Sequence, residues 1–355
     1  MSRGRKIVVA MSGGVDSSVA AALLAEQGED VSGLMLRLWG LSDTGRANRC
    51  CSPADVADAR QVASLLGIPF YVLDASADFK THVVDYFLNG YAQGTTPNPC
   101  LQCNRHIRWG TLLRHAQAFG ATHLATGHYA RLGQDDGRHT LLRGVDLDKD
   151  QSYVLSLLTQ EQLGRAVFPL GELTKTEVRE HARRLNLPVA ERPESQDLCF
   201  VTDGDYRDFL RERAASAPCP GPIVDEAGRY LGEHTGLSDY TVGQRKGLGI
   251  RSSQPLYVMT KDVATNTLVV GPRTALGRRQ FRMGEVNWVS GEPPRPGQRV
   301  QVRVRYKGKE VWSVVRSAGD EPEVEMEEDL PDVTPGQAAV FYDGPICLGG
   351  GIIQP

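Results

Sequence analysis

No stretch of this 355-residue chain approaches the roughly 18 consecutive apolar residues of a membrane-spanning helix, so no membrane partner is expected. It also lacks a strong charge of either sign: 40 Lys and Arg stand against 43 Asp and Glu. Any nucleic acid must therefore be held by local basic clusters, not by the global field. There is no internal repeat or low-complexity tract. The opening residues run almost at once into a core strand, leaving no room for a signal peptide, and a cytoplasmic location is expected. Seven cysteines (50, 51, 100, 103, 199, 219 and 347) are an odd number, and in that compartment a disulfide framework does not form. A second C-x-x-C to pair with Cys100/Cys103 is missing, so a closed zinc site lacks two ligands.

What is present begins at the N-terminus. Lys6 to Ala10 is rich in β-branched residues, Val19 to Gln27 is a run of helix formers, and Ser12-Gly13-Gly14-Val15-Asp16-Ser17-Ser18 joins them. A glycine pair between a strand and a helix brings backbone N–H groups close to a ligand, at the positive end of the helix. Phosphate oxygens suit that place. No Lys follows the second glycine, so this is not the Walker arrangement; the hydroxyls of Ser12, Ser17 and Ser18 remain, with Asp16 as a magnesium partner. The set resembles the PP-loop of the ATP pyrophosphatase superfamily, which cleaves ATP between the α- and β-phosphates and transfers adenylate.

Further along, strands over Val31–Leu38, Pro69–Leu73 and Thr122–Thr126 alternate with helices over Pro53–Leu66, Phe79–Ala92 and Ile107–Phe119. That alternation predicts a parallel sheet covered on both faces, with ligands beyond the carboxyl ends of the strands. The loop SGGVDS and a second glycine site, Thr126-Gly127-His128-Tyr129, then share one rim. Gln151 to Leu185 reads as a helical, basic extension ending in Arg179, Arg183 and Arg184, and Tyr206–Arg213 as one more helix. After Pro218-Cys219-Pro220-Gly221-Pro222 the chain turns to short β-rich segments. The expected class is α/β: a parallel-sheet nucleotide domain with a helical extension (1–205), a small β-rich middle domain (206–278) and a C-terminal β-barrel (279–355). The acidic run from Asp320 to Asp329 reads as a solvated hairpin face.

Cys100 and Cys103 lie in Thr95-Thr96-Pro97-Asn98-Pro99-Cys100-Leu101-Gln102-Cys103-Asn104, read as a proline-stiffened loop on the same rim. The neighbours Arg105, His106 and Arg108 are expected to lower the thiol pKa toward neutrality. Cys199 sits in the polar run Glu194-Ser195-Gln196-Asp197-Leu198-Cys199-Phe200, which a buried structural thiol would not require. Cys103 and Cys199 are read as a reactive pair. Cys50, Cys51, Cys219 and Cys347 are taken as incidental, and on spacing alone His128 reads more readily as a core histidine.

With PNPCxxCN, TGHYAR, KDQSY, ESQDLCF and TVGQRKGLGI following the first motif in order, nearly the whole chain resembles the bacterial tRNA-specific 2-thiouridylases. That resemblance implies replacement of O2 of a wobble uridine in tRNA by sulfur: adenylation from ATP, with Mg2+, makes the oxygen a leaving group, and a persulfide supplies the sulfur. By the same resemblance Ala10, Met11, Ser12, Gly13, Gly14, Val15, Asp16 and Ser17 form the ATP site, with Leu36 and Gly127 on the adenine and ribose side. Cys103 corresponds to the nucleophile and Cys199 to the persulfide carrier, the two forming a transient disulfide. Asn98, Pro99 and Cys100 correspond to the segment beside the target base. Further tRNA positions fall on His128, Lys149, Asp150, Gln151, Arg305, Tyr306 and Gln337, and a protein that donates persulfide is the implied sulfur source. Some family members carry Asp at the position of Cys100. Three thiols, Cys100, Cys103 and Cys199, leave open an iron–sulfur cluster in place of the relay. Outside this chemistry, another PP-loop ligase acting on tRNA, or a tRNA-binding sulfur carrier without catalysis, are the competing readings. Four arginine-rich clusters (Arg105, Arg108, Arg114; Arg179, Arg183, Arg184; Arg245, Lys246; Arg303, Arg305, Lys307) suit a large partner held by its phosphates, whose target base leaves the anticodon stack.

Overall fold

A computed structural model of the chain describes residues 4–39, 52–193, 198–201, 205–213, 219–317, 319, 321–331 and 333–355. Strands β1 (Lys6–Ala10), β2 (Asp30–Arg37), β3 (Phe70–Asp74) and β4 (His123–Ala125) are followed by a hairpin, β5 (Ala130–Asp135) and β6 (Arg138–Arg143), and by the short β7 (Ala166–Val167). Five of these form a sheet in the order β3-β2-β1-β4-β7 with every pairing parallel. Helices α1 (Val15–Glu26) and α2 (Pro53–Leu66) cover one face. Ala20, Ala21 and Ala22 are fully buried, small enough for α1 to lie close on the sheet. Helical segments over 76–92 and 99–118 cover the other face through Phe79, Phe87, Leu101, Ile107 and Trp109. The alternating pattern read from the sequence is thus the one that folds.

Between 151 and 185 the chain is less helical than its composition suggests. Two single-turn helices, Ser152–Leu155 and Gln160–Leu163, lead into β7, and one longer helix, Lys175–Arg184, follows. The middle domain is a four-stranded sheet, β10-β11-β8-β9, built from β8 (Gly221–Asp225), β9 (Tyr230–His234), β10 (Tyr257–Asp262) and β11 (Thr267–Gly271) around Ile223, Val258, Leu268 and Val270.

Strands β12 (Arg278–Trp288), β13 (Arg299–Arg303), β14 (Glu310–Val315), β15 (Glu323–Leu330), β16 (Ala338–Asp343) and β17 (Ile346–Ile353) run in the order β12-β15-β14-β13-β16-β17. Pairing of β12 with β17 closes them into a six-stranded barrel. The acidic run is part of this barrel: in β15, Val324 and Met326 point into its core, while Glu327 and Glu325 pair outward with Arg299 and Arg316. The barrel is not a separate bead. Through Ile346 and Cys347, β17 also pairs with β6 of the hairpin, so one sheet runs from the nucleotide domain into the barrel. Val340, Tyr342 and Ile352 join the same core as Phe79 and Trp109. Among the described residues no helix is long and apolar enough to cross a membrane.

Candidate functional site

At the end of β1 the chain turns through Gly13 at φ +76°, a conformation natural only to glycine. A Cβ there would stand 2.5 Å from the Asp55 carbonyl oxygen, so the loop lies tight against the start of α2. Gly14 is the N-cap of α1 and has no side chain with which to cap it, which suits the start of that helix to an anion. The serines brace the loop. The Ser12 N–H donates to Ser17 Oγ at 3.1 Å, and the Ser17 and Ser18 hydroxyls donate to the Gly14 carbonyl at 3.2 and 2.9 Å.

Gly127, after the adjacent β4, presses on this loop: a Cβ on it would sit 2.8 Å from the Asp16 carbonyl carbon and 2.9 Å from the Ser17 nitrogen. Met11 and Leu36 are buried behind it, and the Met11 N–H donates to Leu34 O at 2.9 Å. Asp16 carries two partners that the sequence did not announce. The Tyr129 hydroxyl donates to Oδ1 at 2.8 Å, and Lys175 Nζ lies 2.7 and 2.9 Å from the two carboxylate oxygens. Lys175 opens its helix, which Thr174 and Glu177 cap reciprocally, and its N–H is held by Asp146 at 2.9 Å. A lysine from elsewhere in the chain thus stands at the loop's carboxylate. Arg192 is the other unannounced contact: it donates to Gly13 O at 2.8 Å, pairs with Asp58 at 2.6 Å and contacts Asp55, tying the loop to the first turns of α2.

Cys100 and Cys103 are not in a loop. Asn98 accepts the Cys100 N–H at 3.1 Å as an N-cap, Pro99 takes the first helical position, where no N–H is needed, and a continuous helical run carries both cysteines from Pro99 to Ala118. The segment just before the N-terminal end of this run is clamped to the barrel. Thr96 N–H donates to Pro335 O at 2.8 Å, Gln337 Nε2 donates to Thr96 O at 2.7 Å, and Gly336, at φ +90°, leaves only 2.9 Å for a Cβ before Thr96. Glu285, on a bulge of β12 at φ +50°, accepts from Arg105 at 3.1 Å and Gln102 at 3.4 Å on either side of Cys103.

All five described cysteines are free. Of the described part of the ESQDLCF run, Phe200 packs edge-on to Phe79 and Phe87 at 5.9 and 5.4 Å, which holds Cys199 over the same core as Cys103. Glu194 to Asp197, Cys50 and Cys51 lie outside the described residues. Cys199 acts electrostatically on both Cys100 and Cys103, so the three thiols share one neighbourhood. The expected lowering of the thiol pKa does not occur: burial pushes Cys103 up to about 12, with Arg108 opposing it, and Cys100 up to about 11, although Cys100 keeps an exposed surface. The other two neighbours point away, Arg105 to Glu285 and His106 onto the ring of His82 at 4.6 Å. Among the described residues no group of three His, Cys, Asp or Glu side chains is arranged to hold a metal ion. Asp16 is the carboxylate carried by the loop itself, which suits magnesium brought in on phosphates.

His128 is buried, 2.7 Å from Thr126 Oγ1 through Nδ1, and burial and then Arg108 hold it well below the usual imidazole range. Asp150 is buried too. It accepts from Gly144 N and from Ser152 N and Oγ at 3.0 to 3.2 Å, and Arg143 and Arg303 stand 3.9 Å away. Gln151 accepts the Tyr129 N–H at 3.1 Å. Lys149 is half-buried beside these two. Arg305 donates to Val242 O and Thr334, joining barrel to middle domain, and Tyr306 lies within electrostatic reach of Cys100. Many of the arginines read as RNA clusters are engaged within the chain, including Arg183 with Glu191, Arg184 with Glu26 and Arg303 with Glu310; Arg245, Lys246 and Lys307 are exposed.

The family model described as the tRNA methyl transferase HUP domain matches residues 5–203, the tRNA methyl transferase PRC-barrel domain matches 207–272 and the Aminomethyltransferase beta-barrel domain matches 278–353. The chain is 50% identical over 350 residues to the tRNA-specific 2-thiouridylase MnmA of Chloroflexus aggregans, covering 98% of each chain. It belongs to the tRNA-specific 2-thiouridylase family. Other 2-thiouridylases, from Roseiflexus sp. and Moorella thermoacetica, are each 48% identical, with 98% of this chain and 99% of theirs covered. Within this thiouridylase fold the expected class is found: a nucleotide-binding parallel sheet, a β-rich middle domain and a closed C-terminal barrel.

Proposed function

We propose that this chain makes 2-thiouridine in tRNA, by adenylating O2 of the wobble uridine with ATP and then replacing that oxygen with sulfur carried as a persulfide on Cys199. The observation that carries the reading is the meeting of two chemistries on one domain. A phosphate cradle at the ends of β1 and β4 shares its domain with Cys199, which lies over the same core as Cys103 and acts on it electrostatically.

ATP is a substrate here, and the loop from Ala10 to Ser17 receives its phosphates, with Leu36 and Gly127 bounding the adenosine side. Lys175 is the cation of this site: when Mg2+ accompanies the phosphates, Asp16 is its protein ligand and the released Nζ neutralises phosphate charge. Transfer of adenylate to O2 makes its later departure the loss of AMP. Cys103, as thiolate, attacks the inner sulfur of the Cys199 persulfide, giving a Cys103–Cys199 disulfide and hydrosulfide, which adds at C2 as AMP leaves. Asn98, Pro99, Cys100 and Tyr306 line the approach of the base, and Lys149, Arg305 and Gln337 lie on the tRNA side. The Asp150 and His128 side chains support that surface from within. A persulfide-donating protein reloads Cys199.

The test is pyrophosphate release on mixing the protein with tRNA and ATP, followed by thiolation in Cys103→Ser and Cys199→Ser. Release dependent on tRNA, with thiolation abolished and ATP binding kept in both variants, is expected. Full activity in either variant would favour a PP-loop ligase, and absence of release a non-catalytic carrier.

A further inference from the structure

Lys261, on β10 of the middle domain, has no part in the chemistry proposed above, and its setting is unusual for a lysine. Its Nζ donates to two backbone carbonyls from different domains, Thr95 O at 3.3 Å and Tyr240 O at 3.1 Å, and lies 5.4 Å from the centre of the Tyr91 ring. Among the described residues no carboxylate pairs with it, and burial lowers the ammonium to about 8. It remains a cation at neutral pH. Burial also holds the Tyr91 phenol neutral, so that ring brings no negative charge. An apolar side chain would occupy this place without the cost of burying a charge; what a long cation adds is a grip on both carbonyls at once.

Thr95 comes three residues before the Asn98 cap of the cysteine helix. Its N–H and its hydroxyl both turn back to Gly90 O at 2.9 Å, which leaves its carbonyl to Lys261. The next residue, Thr96, is the one held by the barrel. Gly94, at φ +76°, lies so close to the turn between β10 and β11 that a Cβ on it would stand 2.6 Å from Val263 Cγ2. Tyr240, the other partner, leads into the loop Thr241-Val242-Gly243-Gln244-Arg245-Lys246-Gly247, a motif that the chemistry above leaves unused. Thr241 is hydrogen-bonded to the Tyr91 hydroxyl, and Arg305 donates to Val242 O at 3.2 Å. Lys261 therefore joins this loop to the lead into the cysteine helix.

Resting on the proposed function, we propose that Lys261 is a positioning residue for sulfur transfer: it holds the segment from Gly94 to Asn98 against the middle domain, so that Cys103 and the target base keep their register. Barrel and middle domain then grip adjacent residues, Thr96 and Thr95, and the helix that begins at Pro99 has a fixed origin. A shift of about 1 Å at that origin is carried along the helix to Cys103, where it costs rate and not affinity.

The experiment is steady-state thiolation of tRNA by the full chain with ATP and a persulfide donor, together with calorimetry of ATP binding, in Lys261→Met and Lys261→Arg. In Lys261→Met, kcat for 2-thiouridine should fall about 10- to 100-fold while KM for tRNA and the affinity for ATP keep their wild-type values. Lys261→Arg, which still donates to both carbonyls, should recover most of the rate. A wild-type kcat in Lys261→Met overturns the assignment. So does a raised KM for tRNA at unchanged kcat, which would make Lys261 part of RNA binding. A fall in rate that Lys261→Arg fails to restore, or that ATP affinity shares, overturns it as well, since the residue would then be merely structural. Should Lys261→Met fail to fold, Lys261→Gln, which keeps a donor without the charge, is measured in its place against the same outcomes. Wild-type protein that produces no 2-thiouridine would instead overturn the functional reading on which the inference stands.

Discussion

Cys103 rests as a thiol. Its pKa is raised by burial to about 12, with Arg108 as the counterweight, so at pH 7 to 8 its thiolate fraction lies below that of an ordinary cysteine. Alkylation of Cys103 by iodoacetamide in the free protein should therefore be slow at neutral pH and climb steadily beyond pH 9. Rapid modification at pH 7, measured by peptide mass analysis, would contradict this. Three basic neighbours in the sequence suggested the opposite, because sequence adjacency does not say which way a helical side chain points: only Arg108 is turned to the sulfur. Lys175 was equally hidden, lying 159 residues from Asp16. Its Thr-x-x-Glu cap was legible, but not the carboxylate it would meet. Lys175→Gln should cut pyrophosphate release by about 100-fold or more, as loss of an oriented group at developing charge does. Folding stability should fall by only about 1–2 kcal/mol, since Asp16 keeps the Tyr129 hydroxyl. Unchanged release would remove Lys175 from the phosphate site.

At the scale of elements, two glycines separate the two halves of the chemistry. Gly127→Ala forces a Cβ against the backbone of Asp16 and Ser17, and ATP affinity should drop, with overpacking of about 1–3 kcal/mol. Gly336→Ala strains a left-handed residue of the barrel and pushes on Thr96, at a cost of about 1–3 kcal/mol. It should slow sulfur transfer while leaving ATP affinity, measured by calorimetry, unchanged; equal effects on both would mean that the clamp does not act on the cysteine helix. The helices and parallel strands were legible because apolar spacing follows burial directly. The cysteine segment, expected from the sequence to be a proline-stiffened loop, is helical because Pro99 stands at the first helical position behind the Asn98 cap, where no N–H is needed. The hairpin β5–β6 also left a signal, the Asp136-Gly137 turn with both residues at positive φ, but nothing local tells that β6 will pair with β17.

For the molecule as a whole, the order of domains could be read from the change to short β-rich segments, whereas their fusion could not. A shared sheet, a shared core around Tyr342, and the contacts of Asn287 with Ser156 O and Leu158 O, both at 2.9 Å, make barrel and nucleotide domain one cooperative body. Calorimetric unfolding should show these two melting together, and a chain cut before β12 should not yield a stable nucleotide domain. A separate low-temperature transition for the barrel would refute the coupling. Such rigidity is what an enzyme needs if adenylation and sulfur delivery are to meet at one base. The most direct test of that claim is mass analysis of nucleosides from tRNA incubated with the protein, ATP and a persulfide donor. Uridine that has exchanged one oxygen for sulfur, with AMP and pyrophosphate formed in equal amount, and no thiolated uridine without Cys199, is the predicted result. AMP formed while every uridine keeps its oxygen would contradict it.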